Sequence, residues 1–557
     1  MDAARTLLTV TAALALAAGC GAPGADDAGE SATTTGPSSD SDTDVETTSS
    51  TTSDEGTEGS TTDAPACELS SVGAVVPVGE GCCGCLCGST GWSCAADTCL
   101  EADGTVATLG PEAGFFEVAP RAYVWAGQPG VSARSRIWYS FWPADTEPEA
   151  RPLMLLFNGG PGASTGLLFG ANTGPWSLDP QRSEGATPTA DPWTRHFNLL
   201  YVDAPSTGFS YNLPRDDGTL AEVAIHADVD ASAFVSVLLR FLARHPALQH
   251  NRVILLGESY GGTRGVLILQ QLLEYEALID GESVYQNEGV HGEIERHLAG
   301  LDPESCGAGV TRAQIAGQFG HLVSLQGVVA GLPQILEPGP PSPLCLPAGD
   351  PYHCDRPAEW LFGVLAEIAA RLRTPALLGA ALGVDPTTIA WMYADQRVGA
   401  YGREPVADEA AMAGIFGALG PSDAYYIDFN YAVQAPAAGS RNFWAEETAD
   451  LFLRVIATVE ALTTDARLDQ VVAIQNLPGV LEARGDAVSA VSYDAAPRPG
   501  VERPGWFEVE YAPGWAPEGV SAREIRAPRY DHSGHAITLD ESALLLADIK
   551  AWVDAGG

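Results

Sequence analysis

From about residue 106 onward, short apolar runs alternate with longer stretches whose apolar positions recur at helical spacing. The runs are 153–157, 198–202, 253–256 and 325–330. They are too short for ordinary helices and apolar at nearly every position, which predicts strands buried on both faces. Stretches such as 265–273 and the amphipathic 542–553 read as helices. Strands and helices in alternation predict an α/β fold: a mostly parallel central sheet with helices on both faces. Between 331 and about 431 the rhythm gives way to Pro-rich loops and helix-like pieces such as 360–373. That region is expected to be an insertion, a cap over the site. No internal repeat is evident.

The first hundred residues follow other patterns. Arg5 precedes an apolar run, 7–18, too short to span a bilayer. It ends in Leu16-Ala17-Ala18-Gly19-Cys20, which resembles the bacterial lipoprotein lipobox with its Leu one place early. The resemblance implies a signal peptide over 1–20, cleavage before Cys20 and lipidation of that sulfur. An ordinary signal peptide with an incidental cysteine is the plain alternative. Several acyl chains would make a stable membrane anchor. Gly21 after Cys20, by the same analogy, implies outer-membrane sorting: an exported protein tied to the cell envelope, facing periplasm or surface. Residues 21–66 are Ser, Thr, Gly and acidic residues, with eleven acidic and no basic side chains. Such a segment cannot bury enough apolar surface to offset its ordering entropy, so a disordered acidic stalk is expected.

Residues 67–100 hold Cys67, Cys82, Cys83, Cys85, Cys87, Cys94 and Cys99. In an exported chain this predicts a small disulfide-stapled module. Metal is not expected, since no histidine lies nearby and the compartment is oxidising. Three further cysteines, Cys306, Cys345 and Cys354, make the combined count even. If every thiol pairs, one bridge must join the module to the main domain; with Cys345–Cys354 as the local pair, Cys306 is the candidate for it. Over the whole chain 72 acidic residues face 29 basic ones, a formal net charge of −43. That surface repels phosphate backbones, so nucleic acid is not an expected partner. The only lysine, Lys550, offers no plausible Schiff-base chemistry. No cofactor is expected.

The main domain, 106–557, carries the chemistry. A buried strand runs into Gly257-Glu258-Ser259-Tyr260-Gly261-Gly262, and a helix-like stretch follows. This is the context of a nucleophile elbow, in which a strained turn exposes the Ser259 hydroxyl and small neighbours allow tight backbone packing. A nucleophile needs a base and an orienter, which in this fold follow in the order Ser, Asp, His. His532-Ser533-Gly534-His535 stands just before the final helix, and the glycine before it favours His535 as base over His532. Asp465 and Asp469 both follow the apolar segment 453–462, and the stretch permits either; Asp469 is the choice for the acid. Phe157-Asn158-Gly159-Gly160-Pro161-Gly162 follows an early strand, and its glycines would let backbone amides approach a substrate oxygen.

Taken in order, Asn158-Gly159-Gly160-Pro161-Gly162, Asn198-Leu199-Leu200-Tyr201-Val202-Asp203-Ala204-Pro205 with Thr207-Gly208-Phe209-Ser210, Gly257-Glu258-Ser259-Tyr260-Gly261-Gly262 and Gly534-His535 resemble the serine carboxypeptidase family over about 115–553. The resemblance implies an α/β-hydrolase fold with a cap and release of single residues from peptide C-termini, best at acidic pH. It makes Ser259 nucleophile, Asp469 acid and His535 base, with the amides of Gly160 and Tyr260 as oxyanion hole. It assigns Asn158 and Glu258 to the substrate's terminal carboxylate, Glu258 acting as a buried, protonated donor.

The chain departs from the family pattern on the substrate side. Phe157 replaces a tryptophan, Asn172 stands where a second recognition glutamate is expected, Thr263-Arg264 replaces His-Tyr, and Ala536-Ile537-Thr538 follows His535 where Met-Val-Pro is common. An esterase or acyltransferase on the same scaffold is therefore an alternative to a peptidase. A non-catalytic surface lipoprotein whose pocket binds ligand is a third reading.

Overall fold

The computed structural model describes residues 106–178, 186–212, 227–274, 288–301, 310–330, 447–494 and 505–556, apart from single positions and pairs inside these ranges, with residues 334 and 383 and short strands between 75 and 93. The lipidation site Cys20, the stalk 21–66, Cys306, Cys345, Cys354, Pro161, Gly162 and, but for residues 334 and 383, the cap 331–431 lie outside the described residues. Of the module 67–100, three short strands, Val75–Pro77, Gly84–Gly88 and Gly91–Ser93, form an antiparallel sheet; its cysteine pairing falls outside what is described.

The main sheet has eleven strands. Ten of them are β1 (Glu112–Val118), β2 (Ser135–Trp142), β3 (Leu153–Phe157), β4 (Asn198–Val202), β5 (Val253–Glu258), β6 (His321–Leu325), β7 (Glu460–Thr463), β8 (Val488–Asp494), β9 (Trp506–Tyr511) and β10 (Ala522–Arg526). Across the sheet the order is β2-β4-β3-β5-β6-β7-β10-β9-β8, with β1 and the short strand Tyr211–Asn212 both on β2. The centre, β4-β3-β5-β6-β7-β10, is parallel throughout. Antiparallel strands flank it on both sides.

The continuous apolar runs explain this centre. Leu153, Leu155 and Phe157 point to one face with Val253 and Leu255, while Met154 and Leu156 point to the other with Ile254 and Leu256. On the first face pack α1 (Ala227–Arg244), α2 (Gly261–Leu273), α3 (Glu288–Leu301), α4 (Arg312–Phe319) and α5 (Glu447–Ile456). On the second pack α6 (Ser542–Asp554) and the helical turns after β3 around Leu168. At about 25 cal/mol per Å² of apolar surface, two such cores supply the main favourable contribution to folding.

One expected strand is displaced. Residues 325–330 were predicted extended, but β6 is His321–Leu325 and ends there. Gln326 adopts φ 45°, which breaks the extended chain. The apolar residues Val328, Val329 and Ala330 are buried all the same, in a loop. Its backbone is satisfied locally: Val329 and Ala330 donate to Gln334 Oε1, and Gln334 Nε2 donates to the Gly327 carbonyl. A buried, satisfied loop carries the same apolar signature as a buried strand.

Candidate active site

The described candidates of the main domain lie at the C-terminal edge of the parallel strands, where open α/β sheets place their sites. Ser259 occupies the turn between β5 and α2 with φ 58°, a left-handed conformation costly for any residue but glycine. The surroundings hold it there. Its N–H donates to the Leu325 carbonyl at 3.0 Å, and its own carbonyl accepts from Gly262 at 3.0 Å and Val328 at 2.9 Å. A Cβ on Gly257 would collide with the Gly261 carbonyl, so the small flanking residues are required by the turn itself.

His535 and Asp469 come from separate loops and meet. His535 Nδ1 lies 3.0 Å from Asp469 Oδ2. Asp469 Oδ1 accepts from the Val472 amide at 3.3 Å, and Oδ2 also accepts from Gln326 Nε2 at 2.8 Å. Asp465 is turned elsewhere, toward Arg467 at 3.9 Å and Arg529 at 3.6 Å. His532 is exposed, whereas the loop of His535 is pinned by Ser533 donating to Glu541 and Gly534 donating to Asp540. The geometry thus separates the paired candidates that local sequence left open. Burial disfavours the charged imidazole, but Asp469's charge and hydrogen bond, reinforced by Glu258, outweigh it and raise the His535 pKa. The Ser259 hydroxyl and the imidazole are not hydrogen-bonded to each other; such contacts commonly tighten only with substrate in place.

The loop after β3 crosses close to the elbow. A Cβ on Gly159 would stand 2.5 Å from the Glu258 carbonyl, 2.6 Å from the Tyr260 amide nitrogen and 2.7 Å from Ser259 Cβ. Only glycine fits. Gly160 follows with φ 106°, again a glycine conformation. Asn158 Oδ1 accepts from the Gly159 amide at 2.6 Å, which fixes the orientation of the side-chain amide and leaves Nδ2 as a donor.

Arg264, whose direction could not be read from sequence, faces away from the substrate side. It is buried behind this loop, its guanidinium donating to the Asn158 carbonyl and to Asp230 at 2.8 Å. The rings of Phe157, Phe234 and Tyr260 surround it, with centroids 4.7–5.7 Å away. Asp203 ties the same loop to its neighbour: it accepts from Ser164 Oγ and the Thr165 amide on one side and from the Phe209 amide on the other.

Glu258 is 7% exposed. Burial pushes its carboxyl up to about 7, a shift that His535 opposes and Asp469's negative charge supports. Asn172 is buried with φ 67°, and its Nδ2 donates to the Thr538 carbonyl at 3.2 Å. It ties the turn after β3 to the segment that follows His535.

This sheet, with a strained serine after β5 and a histidine–aspartate pair on the loops after β10 and β7, has the arrangement of the α/β-hydrolase fold. Residues 122–284, which include Asn158, Gly160, Glu258, Ser259 and Tyr260, match the family model described as serine carboxypeptidase. Carboxypeptidase S1 of Penicillium janthinellum is 30% identical over 175 residues, 31% of this chain and 38% of that protein. Serine carboxypeptidase-like 44 of Arabidopsis thaliana is 32% identical over 164 residues, 29% of this chain and 33% of that protein. The chain thus spans about a third of the length of these relatives. The structure of a prohormone-processing carboxypeptidase from Saccharomyces cerevisiae aligns at 13% identity with a TM-score of 0.41, covering 76% of this chain and 88% of its own.

Proposed function

We propose that the protein is a serine hydrolase that removes C-terminal residues from peptides, with Ser259 as nucleophile, His535 as base and Asp469 as its orienter. The observation that carries this reading is the strained Ser259 turn at one sheet edge with the His535–Asp469 hydrogen bond. Ser259 Oγ attacks the scissile carbonyl carbon while His535 Nε2 takes its proton. The oxyanion is met by the amides of Gly160 and Tyr260. As the C–N bond breaks, His535 passes the proton to the departing amine; water then cleaves the acyl-enzyme by the same steps. Asp469 holds the imidazole with Nδ1–H toward itself and stabilises the imidazolium.

The C-terminal preference rests on Glu258 and Asn158. A carboxyl that stays protonated to about pH 7 can donate to a substrate carboxylate, and Asn158 Nδ2 is a second donor. An esterase reading draws support from Asn172, which stands at the second glutamate position and is committed to the Thr538 carbonyl.

The test uses N-blocked dipeptides with free, amidated or esterified C-termini. Cleavage of the free acid alone, lost in Ser259→Ala, is expected; turnover of the ester alone would favour the esterase, and no labelling by a fluorophosphonate probe would leave a binding protein. Lipid attachment at Cys20, and with it envelope anchoring, belongs to the same proposal. Fatty-acid labelling of the full chain in cells, absent from Cys20→Ser, is the expected outcome, and equal labelling of both would refute the anchor.

A further inference from the structure

We infer that Gln326 is a positioning residue of the catalytic machinery, sharing with His535 the single carboxylate oxygen that orients the imidazole; this rests on the triad proposed above. Gln326 is fully buried just past the end of β6, within the run 325–330 but in none of the catalytic motifs of the sequence. Its side-chain amide cannot be flipped. Oε1 lies 2.9 Å from the Ala466 backbone nitrogen, which can only donate, so the other terminus is the NH2. Thr464 settles the rest: its hydroxyl accepts from the Gln326 backbone N–H at 2.9 Å and gives its one proton to Gln326 Oε1 at 2.9 Å. Nε2 is left aimed at Asp469 Oδ2, at 2.8 Å, beside His535 Nδ1 at 3.0 Å from the same oxygen.

Two consequences follow from this directed chain of hydrogen bonds. Asp469 Oδ2 receives donors from two sides, which fixes the carboxylate oxygen against the imidazole. It also links the acid to the nucleophile through backbone. The left-handed turn at Gln326 directly follows Leu325, whose carbonyl takes the Ser259 amide, so one strained residue sets both the elbow and the acid. The titratable groups around it are Asp469 and His535, with Glu258 and Asp465 beyond them; Arg467 and Arg529 face Asp465.

The experiment compares Gln326→Leu, Gln326→Glu and Thr464→Val with Asp469→Asn in the full chain, measuring kcat, KM, pH profile and melting temperature. Gln326→Leu is expected to lower kcat about ten- to a hundredfold with little change in KM, because misorientation acts on the chemical step. Gln326→Glu should recover activity at acidic pH, where a neutral carboxyl can donate the same bond, and lose it as pH rises. Thr464→Val, which leaves Gln326 in place, should give a smaller loss of kcat, and it serves if Gln326→Leu does not fold. In the Asp469→Asn background Gln326→Leu should add nothing. A parent-like kcat in the folded Gln326 variants, or a parent-like pH profile in Gln326→Glu, overturns the inference while leaving the triad intact. Full activity in Asp469→Asn would instead overturn the triad.

Discussion

Glu258→Gln isolates the ionisation of one carboxyl beside the nucleophile. The parent carboxyl is raised from 4.5 to about 7. A group with that pKa is roughly one-eleventh protonated at about pH 8, so kcat/KM toward free-acid peptides should fall about tenfold there and tenfold more per further unit. Glutamine donates at every pH, so the variant should hold its activity through that range. Removing the charge also removes Glu258's contribution to the raised His535 pKa, so the acidic limb should move to lower pH. The two groups titrate as a coupled pair, and the limbs report the pair. Stability supplies an independent reading. The folded pKa lies above the unfolded one, so this contribution is complete below about pH 4.5 and is lost as pH rises toward 7, by about 3 kcal/mol. Denaturant melts between pH 4 and 8 should show that loss in the parent and less of it in Glu258→Gln. Superimposable pH profiles of kcat/KM for the two proteins would refute the reasoning.

Gly159→Ala should lower kcat by about 10²–10³, because its methyl would displace the Tyr260 amide from the oxyanion position; activity above a tenth of the parent would mean the loop gives way without harm. Arg264→Met strands Asp230 in the core and should cost about 3–5 kcal/mol by urea denaturation, with a wild-type melt as the contrary result. Asn172→Glu, the substitution that restores the family residue, should destabilise by about 1–3 kcal/mol, since it takes the donor from Thr538 and buries a carboxyl. A gain in peptidase over esterase turnover, at unchanged melting temperature, would show that Asn172 faces substrate after all.

The parallel strands and the elbow were legible because each is written in adjacent residues: an apolar run, a glycine, a serine, a glycine. The glycine loop that crosses close to the elbow was legible for the same reason. Asp469 was preferred to Asp465 without a deciding local pattern, because the two lie four residues apart, and the contacts that tell them apart come from Gln326 and His535, brought in by two other stretches of fold. Gln326 left no signal, since a glutamine after a strand has no local pattern. Arg264 reads as a cation near a site, and only packing shows that it points behind the loop. The end of β6 was misplaced because burial and extension share an apolar signature, and the positive φ that ends the strand falls on a residue type that does not announce it.

The distribution of the site over the sheet edge has a consequence for biosynthesis. Ser259 is made long before His535, and the Asp469 loop is aligned only when β10 has docked beside β7 and α6 has covered the second face. A partly synthesised or partly unfolded chain therefore holds a serine with no base. On the proposed triad, such a chain is inert toward its neighbours and toward itself, and hydrolysis would begin only when the last long-range contacts close. The proposed activity would thus report that folding has finished.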